Sequence, residues 1–218
     1  MNLILYKHVC MYIYNMRKTL EDKKLTEKSL LKSAMFLFLE NGYSKVTIAQ
    51  ISKYSNLTRG AFYWHFESKE DILSQILIFN RNKLRAFLDV QFALEIEDEL
   101  IKIKSIFNNI LENFWNDTDF RDFIKLTWFK LENQFIDSSL EYKVAINDYF
   151  NDELKCIIES GQIKGDINST NTAMQISIHA TSLINGIYRM YFVSSYLTEL
   201  NDAKLMIDSF CDSLKPLD

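Results

Sequence analysis

The segment from residue 47 to residue 66 constrains the fold of this chain most, because it encodes two short helices separated by a tight turn. Thr47 followed by Gln50 is a capping box, in which each residue satisfies a backbone N–H of the other. Asn56 falls in a three-residue turn, where it adopts a left-handed conformation at low cost. Thr58 can then cap the second helix. This order is typical of a helix-turn-helix, whose second helix enters the major groove of DNA.

The second short helix carries side chains whose chemistry suits DNA. Arg59 can pair with a guanine edge or hold a phosphate, and Gly60 lets the helix approach DNA closely. Hydroxyls near helix N-termini can contact phosphates, because the helix dipole favours an anion there. The predicted DNA-contacting residues are Thr47, Thr58, Arg59, Gly60, Tyr63, Trp64, His65 and Lys69. From this pattern alone, an alternative stays open: two ordinary amphipathic helices that do not bind DNA.

The same residues resemble the TetR/AcrR family of transcriptional repressors. The stretch TRGAFYWHF, from Thr58 to Phe66, and the SKEDIL of residues 68–73 look like that family's signature. The family's first-helix and turn positions are also matched upstream, at Ala34, Leu37, Phe38, Gly42, Tyr43, Thr47, Ile48, Ile51 and Leu57. The resemblance is close over residues 26–77 and weaker beyond. It implies a three-helix DNA-binding head and a larger, all-helical body that binds a ligand and dimerises.

Composition agrees with an all-α protein that has a basic head and an acidic body. One Pro and five Gly leave few helix breaks. Residues 1–75 hold 11 Lys and Arg against 7 Asp and Glu, whereas residues 76–218 hold 14 against 22. This distribution is expected of a localised DNA contact. We therefore expect an N-terminal extension and basic arm over residues 1–25, the helix-turn-helix domain over 26–72, and a ligand-binding and dimerisation domain over 73–218.

Helix boundaries are predicted at several points. Thr26 is expected to cap a first helix that ends at Gly42, and Ser68 to open a long helix joining the two domains. A signal peptide is disfavoured for residues 1–15, because the apolar stretch is interrupted and no small-residue cleavage site follows. An upstream extension and a helix packed on the head both stay open. Residues 16–19 look like the start of the family's basic arm. No apolar run approaches ~20 residues, so the sequence predicts no membrane span.

The three cysteines, at positions 10, 156 and 211, are too widely spaced for a CxxC pair. They favour buried thiols in a reducing cytoplasm over a disulfide framework. The three histidines stand far from one another and from any cysteine at ligand spacing, so we expect no metal site. We also expect no cofactor and no enzymatic activity, because the sequence offers no nucleophile–base pair and no phosphate-binding loop.

The middle of the chain is unusually rich in aromatic residues, which form either a core or a pocket for a small molecule. Given the resemblance, we expect a pocket for apolar or aromatic compounds, with Trp128 and Phe107 as stacking surfaces. The positive charge of Arg81 argues against a pocket that binds only cations, whereas the negative charge of Glu132 would restore a preference for cations. The predicted ligand-binding residues are Arg81, Phe107, Phe114, Trp128, Phe129, Glu132 and His179.

The last two predicted helices are candidates for a dimer interface. Small residues at Ala173, Ser177, Ala180, Ser182 and Gly186 allow close helix packing, either within an intramolecular hairpin or against a second copy. The resemblance implies a four-helix interface in a homodimer. A two-fold dimer is also what a single helix-turn-helix needs to bind a palindromic double-stranded DNA operator.

Three functions follow as hypotheses. The first is a cytoplasmic, ligand-responsive repressor of a multidrug efflux operon, released from DNA by apolar or aromatic small molecules. The second is a DNA-binding dimer that regulates transcription without a ligand, its aromatic residues forming core alone. The third is a helical enzyme, for which no supporting motif is present.

Overall fold

The computed structural model describes residues 3–131, 136–195, 197 and 199–216, with side chains described from residue 21 to 131 and from 145 onward within these ranges. Every regular element in these ranges is helical, which confirms the all-α prediction. The α-helices are α1 Leu3–Asn41, α2 Ile48–Tyr54, α3 Arg59–His65, α4 Lys69–Phe92, α5 Glu99–Asn116, α6 Thr118–Lys125, α7 Ile136–Lys164, α8 Ala173–Val193 and α9 Leu200–Asp212.

The chain divides into two compact units, Met1–Ile76 and Leu77–Asp218. We call them the head and the body. Helix α4 begins in the head and ends in the body, and the predicted boundary at residues 72/73 also falls within this helix. None of the helices in the described ranges combines the length and the apolar character that a membrane span requires.

Helix α1 is longer than the sequence predicted. It begins at Leu3, so the N-terminal cap predicted at Thr26 is wrong. Thr26 lies inside the helix, where its hydroxyl donates to the Asp22 carbonyl at 2.8 Å; a threonine inside a helix can make this bond in place of a cap. The predicted end is confirmed. Gly42 has a φ of 77° and its N–H donates to the Phe38 carbonyl at 3.0 Å, which closes the helix.

The head has a small apolar core that holds α3 against α1 and α2. Phe62 of α3 is fully buried, and so are Leu30 and Phe38 of α1 and Ile51 of α2. Because α3 has only seven residues, burial of Phe62 rather than helix propensity fixes its position.

The body is built around α5. One face of this helix is fully buried and packs against α7 and α9; its residues include Ile103, Ile106, Phe107, Leu111 and Phe114. Helix α8 packs along α7. After α6 the backbone forms a single π-helical turn, Leu126–Lys130, of the kind often found beside functional sites.

A polar contact fixes α4 to α7 in the body. The Tyr149 hydroxyl donates to Asp89 Oδ1 at 2.5 Å, and the Arg85 guanidinium lies 3.1 Å from the centre of the Tyr149 ring. Arg85 also pairs with Asp89 at 3.0 Å. Burial and the hydrogen bond to Asp89 raise the pKa of Tyr149 to about 12. The phenol therefore remains a donor at neutral pH and holds α4 in place.

Candidate functional site

The predicted helix-turn-helix is present, with the caps that the sequence indicated. Gln50 donates its N–H to Thr47 Oγ1 at 3.3 Å, and Thr47 donates its N–H to Gln50 Oε1 at 2.8 Å. The turn that follows uses Asn56 at φ 56°. Thr58 caps α3, because its hydroxyl oxygen accepts the Ala61 N–H at 3.1 Å. These local caps and the turn define where α2 ends and α3 begins.

Helix α3 presents most of its surface to solvent. Arg59 and Gly60 are exposed in its first turn, whereas Tyr63 and Trp64 are 51% and 74% exposed. Such exposure of large aromatic side chains is unusual on a folded surface and suits a contact with another molecule. Thr47 and Thr58 are also exposed, and His65 and Lys69 are half-buried.

Lys69 has a structural role that its sequence context did not indicate. Its ammonium donates to the Tyr43 carbonyl at 3.0 Å and to the Val46 carbonyl at 2.9 Å, and lies 4.2 Å from the centre of the Tyr43 ring. It therefore ties the start of α4 to the connection between α1 and α2. A phosphate contact by Lys69 stays a prediction, and loss of this side chain is now expected to destabilise the head as well.

Lys23 is a candidate DNA-binding residue that sequence reasoning missed. Its ammonium lies 5.9 Å from the centre of the exposed Trp64 ring, so a cation on α1 stands beside α3. The two residues lie 41 positions apart, so the spacing of residues in the sequence did not predict their contact. Together with Arg59 it adds positive charge next to the exposed face of α3.

The body contains a mainly apolar cavity of about 80 Å³. Its walls come from α4, α5, α6, α7, α8 and the π-helical turn. The lining residues are Leu84, Leu88, Ile110, Phe120, Ile124, Trp128, Ile146, Asn147, Phe150, Thr181, Ile184, Asn185 and Tyr188. An apolar enclosure with a few polar groups is the usual form of a small-molecule site.

The structure does not bring the predicted ligand-binding residues together. Trp128 lines the cavity. Phe107 and Phe114 do not line it; both are fully buried in the core, and their contact with a ligand stays a prediction. Phe107 packs edge-on against Phe150 and Phe210. Aromatic content alone could not separate core from cavity, because both use the same residue types.

The remaining predicted ligand residues lie elsewhere. Phe129 is half-buried, while Arg81 and His179 are exposed, and none of the three is among the residues that line the cavity. His179 packs instead on Phe210 of α9, with ring centres 5.2 Å apart. Glu132 lies outside the described residues, so its predicted role remains a prediction.

The polar residues of the cavity, Asn147, Thr181 and Asn185, were also missed. They belong to the contact between α7 and α8, where the Thr181 hydroxyl donates to Asn151 Oδ1 at 2.5 Å. Polar residues spaced one turn apart on two helices were a possible signal, but it has meaning only once the two helices are known to pack.

An exposed apolar surface covers parts of α8 and α9. Ile178 and Leu205 are 51% and 55% exposed, and Met174 and Met206 are each 39% exposed. The small residues predicted for an interface divide into two groups. Ala173, Ser177 and Ala180 are buried within this chain, whereas Ser182 and Gly186 are exposed. We call the exposed set Met174, Ile178, Ser182, Gly186, Leu205 and Met206 the α8–α9 face.

Comparison with known sequences relates the head to a described family. The profile of bacterial regulatory proteins of the tetR family matches residues 30–76. Over 174 residues the chain is 31% identical to the Transposon Tn10 TetC protein of Escherichia coli, covering 75% of this chain and 84% of that protein. Over 164 residues it is 25% identical to the HTH-type transcriptional regulator AcrR of Shigella flexneri, covering 72% of this chain and 76% of that regulator.

Comparison with solved structures gives the same architecture. NalD, the secondary repressor of the MexAB-OprM multidrug efflux pump in Pseudomonas aeruginosa, matches with a TM-score of 0.75. The match covers 89% of this chain and 98% of NalD, at 20% sequence identity. At this identity the likeness establishes a shared fold and nothing finer.

Proposed function

We propose that this chain, which belongs to the TetR family of bacterial regulatory proteins, is a dimeric repressor released from its operator by a small apolar or aromatic molecule. It is a transcriptional regulator rather than an enzyme, as its family and its relatives are. The observation that carries the proposal is the cavity in the body, because Leu84 and Leu88 of α4 form part of its wall and α4 begins in the head.

DNA binding is assigned to the exposed surface of α3. The first turn of a recognition helix is the part that reaches base edges, and Arg59 and Gly60 occupy it. Tyr63 and Trp64 extend the same exposed surface toward the end of the helix. Lys23 adds a cation beside Trp64, which suits a phosphate.

Dimerisation is assigned to the α8–α9 face. Apolar side chains that stay exposed in a single chain mark an interaction surface when they are contiguous. The two small exposed residues, Ser182 and Gly186, would let two copies of α8 approach closely. A two-fold dimer would present two α3 helices to successive major grooves, about 34–36 Å apart.

Release from DNA follows from the size of the cavity. A volume of about 80 Å³ is smaller than the ~150 Å³ apolar cavity that holds benzene in an engineered protein. We expect a ring-bearing ligand to push the walls apart, which would move Leu84, Leu88 and α4 with them. The ligand acts only through its different affinity for the two states, so DNA must weaken ligand binding by the same factor.

Efflux control is the physiological role that we propose. NalD, which shares this fold, represses a multidrug efflux pump, and a mainly apolar cavity suits the compounds such pumps export. The cytoplasm is the expected location, because operator DNA is there.

A titration tests ligand-induced release. In a variant carrying Trp64→Phe and Trp115→Phe, Trp128 is the remaining tryptophan and reports on the cavity directly. We expect aromatic efflux substrates to change its fluorescence and, in the protein that retains Trp64, to release labelled operator DNA over the same concentration range. If a broad panel changes neither signal while the protein still binds DNA, the protein regulates transcription without a ligand of this kind.

Replacement of Arg59 by alanine is expected to weaken operator binding without unfolding the head. A side chain that reads a base contributes roughly 1–3 kcal/mol per site, so affinity should fall about 5- to 150-fold at each half-site. Arg81→Ala removes another exposed arginine, one that lies in the body, and serves as the control. Equal gel-shift affinity in both variants would argue against α3 as the recognition helix.

Gly60→Ala tests how closely α3 approaches DNA. An added Cβ would meet Thr58 Oγ1 at 3.7 Å, an ordinary contact, so the head should fold and keep or increase its thermal stability. Operator affinity should fall, because the methyl group would occupy space needed by DNA. Unchanged affinity in a stable variant would mean that this turn does not lie against the groove.

A further inference from the structure

We infer that the cavity selects uncharged ligands carrying one hydrogen-bonding group, which the side-chain amides of Asn147 and Asn185 bind. This inference rests on the proposed function and specifies its ligand class. It differs from the preference for cations that Glu132 would give.

The lining of the cavity favours uncharged compounds. Among the described residues, the wall is made of aliphatic and aromatic side chains together with Asn147, Thr181 and Asn185. Within the same set, no lining residue carries a charge. A ligand cation would lose its hydration on entering and would meet no carboxylate among these described lining residues, which is unfavourable in an apolar enclosure. A ligand carboxylate would similarly meet no lysine or arginine.

The polar part of the wall lies where α7 packs on α8. These helices are joined by the short segment 165–172, so they run antiparallel as neighbours. The Thr181 hydroxyl is already engaged, since it lies 2.5 Å from Asn151 Oδ1 and 3.0 Å from the Ser177 carbonyl. Asn147 lies one turn before Asn151, and Asn185 one turn after Thr181. The two asparagines therefore continue the same polar strip into the cavity.

The two asparagine amides are available to a ligand. Neither Asn147 nor Asn185 makes a side-chain hydrogen bond to the part of the chain that the structure describes, although both line the cavity. Each amide offers two N–H donors and one carbonyl acceptor. Such a pair can donate to, and accept from, a neutral hydroxyl or amide on an otherwise apolar ligand. The chemistry fits a phenol, a benzylic alcohol or an aromatic amide.

Four matched compounds test the charge preference: 4-butyltoluene, 4-butylbenzyl alcohol, 4-butylbenzylammonium and 4-butylbenzoate. They share one apolar body and differ in a single group. With the Trp128-only protein, we expect the alcohol to bind about tenfold or more tightly than either ion, because only the ions lose hydration without a counter-charge. The alcohol should also bind more tightly than the hydrocarbon, since only the alcohol can use the amides.

Two substitutions at one position separate the hydrogen bond from the charge. Asn185→Leu removes the amide, so it should weaken binding of the alcohol about tenfold. Because leucine has a similar volume, binding of 4-butyltoluene should remain nearly unchanged. Asn185→Asp places a carboxylate in the wall and should make the ammonium compound the preferred ligand. Circular dichroism and operator binding in the absence of ligand serve as controls for folding.

The outcomes distinguish this inference from the proposed function. Binding of the ammonium compound as tightly as the alcohol would overturn the charge preference, and loss of that binding in Glu132→Gln would assign it to Glu132. Equal binding of the alcohol and the hydrocarbon would overturn the role of the amides. In either case ligand-induced release would still stand. If none of the four compounds changes Trp128 fluorescence while an aromatic efflux substrate does, this inference fails and the proposed function stands; if the efflux substrates also fail, both fall.

Discussion

Ile178→Arg is expected to give a folded monomer that no longer binds its operator with measurable affinity. Ile178 is 51% exposed on α8, so an arginine fits the isolated chain without loss of core packing. In a two-fold interface each protomer would bury one unpaired guanidinium, at a cost of roughly 3–5 kcal/mol for each. The dimer dissociation constant should then rise about 10⁴-fold or more. Light scattering should report a mass near 25.7 kDa.

Ile163→Arg is the matched control, because Ile163 is 87% exposed on α7, outside the α8–α9 face. It should leave the dimer and operator affinity unchanged.

Gly186→Leu provides a second test without a charge. Nothing lies within 4 Å of a Cβ added at Gly186, so the single chain tolerates the side chain, whereas a closely packed partner helix would not. A dimer that survives both Ile178→Arg and Gly186→Leu would place the interface elsewhere.

The sequence shows the small residues of α8 but does not divide them into buried and exposed positions. Residues four positions apart lie on one face of a helix, yet the period alone does not say which face meets the rest of the chain. Ala180 faces the core and Ser182 faces solvent. That distinction depends on how α8 packs on α7, which is a long-range contact.

The head was largely predictable because its signals are local. The capping box at Thr47, the left-handed Asn56 and the cap at Thr58 each depend on neighbours within four residues, and all three are confirmed. The start of α1 was not predictable in this way. A threonine such as Thr26 can cap the N-terminus of a helix or lie inside a helix and donate to the carbonyl four residues earlier, and the local sequence does not distinguish the two. The structural role of Lys69 was not predictable for a different reason: the two carbonyl groups that accept its hydrogen bonds lie more than 20 positions away.

The cavity was the least predictable feature. Its wall combines residues from five helices and the π-helical turn, so no window of sequence contains it. Phe107 and Trp128 look alike to a sequence argument, since both are aromatic residues at helical spacing. The structure separates them, because one is enclosed by the core on all sides and the other borders empty space.

Phe107→Ala is expected to destabilise the body strongly, although Phe107 is not among the residues that line the cavity. Phe107 is fully buried, and its ring lies edge-on at 6.0 Å from Phe150 and 6.1 Å from Phe210. Truncation of such a residue costs roughly 3–5 kcal/mol, because the space it leaves fills only partly. The unfolding midpoint should fall by roughly 6–20 °C in a protein of this size. Thermal and chemical denaturation measure the effect directly.

Phe79→Ala is the control, because Phe79 is 63% exposed on α4 and its loss should change stability by no more than about 0.5 kcal/mol. Trp128→Phe completes the comparison, since it should weaken aromatic ligands with little effect on folding. Stability and ligand binding, compared across the three variants, show whether Phe107 is a core residue or a ligand contact. If Phe107→Ala abolished ligand binding at unchanged stability, Phe107 would contact the ligand as the sequence first indicated, and the empty space seen beside Trp128 would be only part of the site.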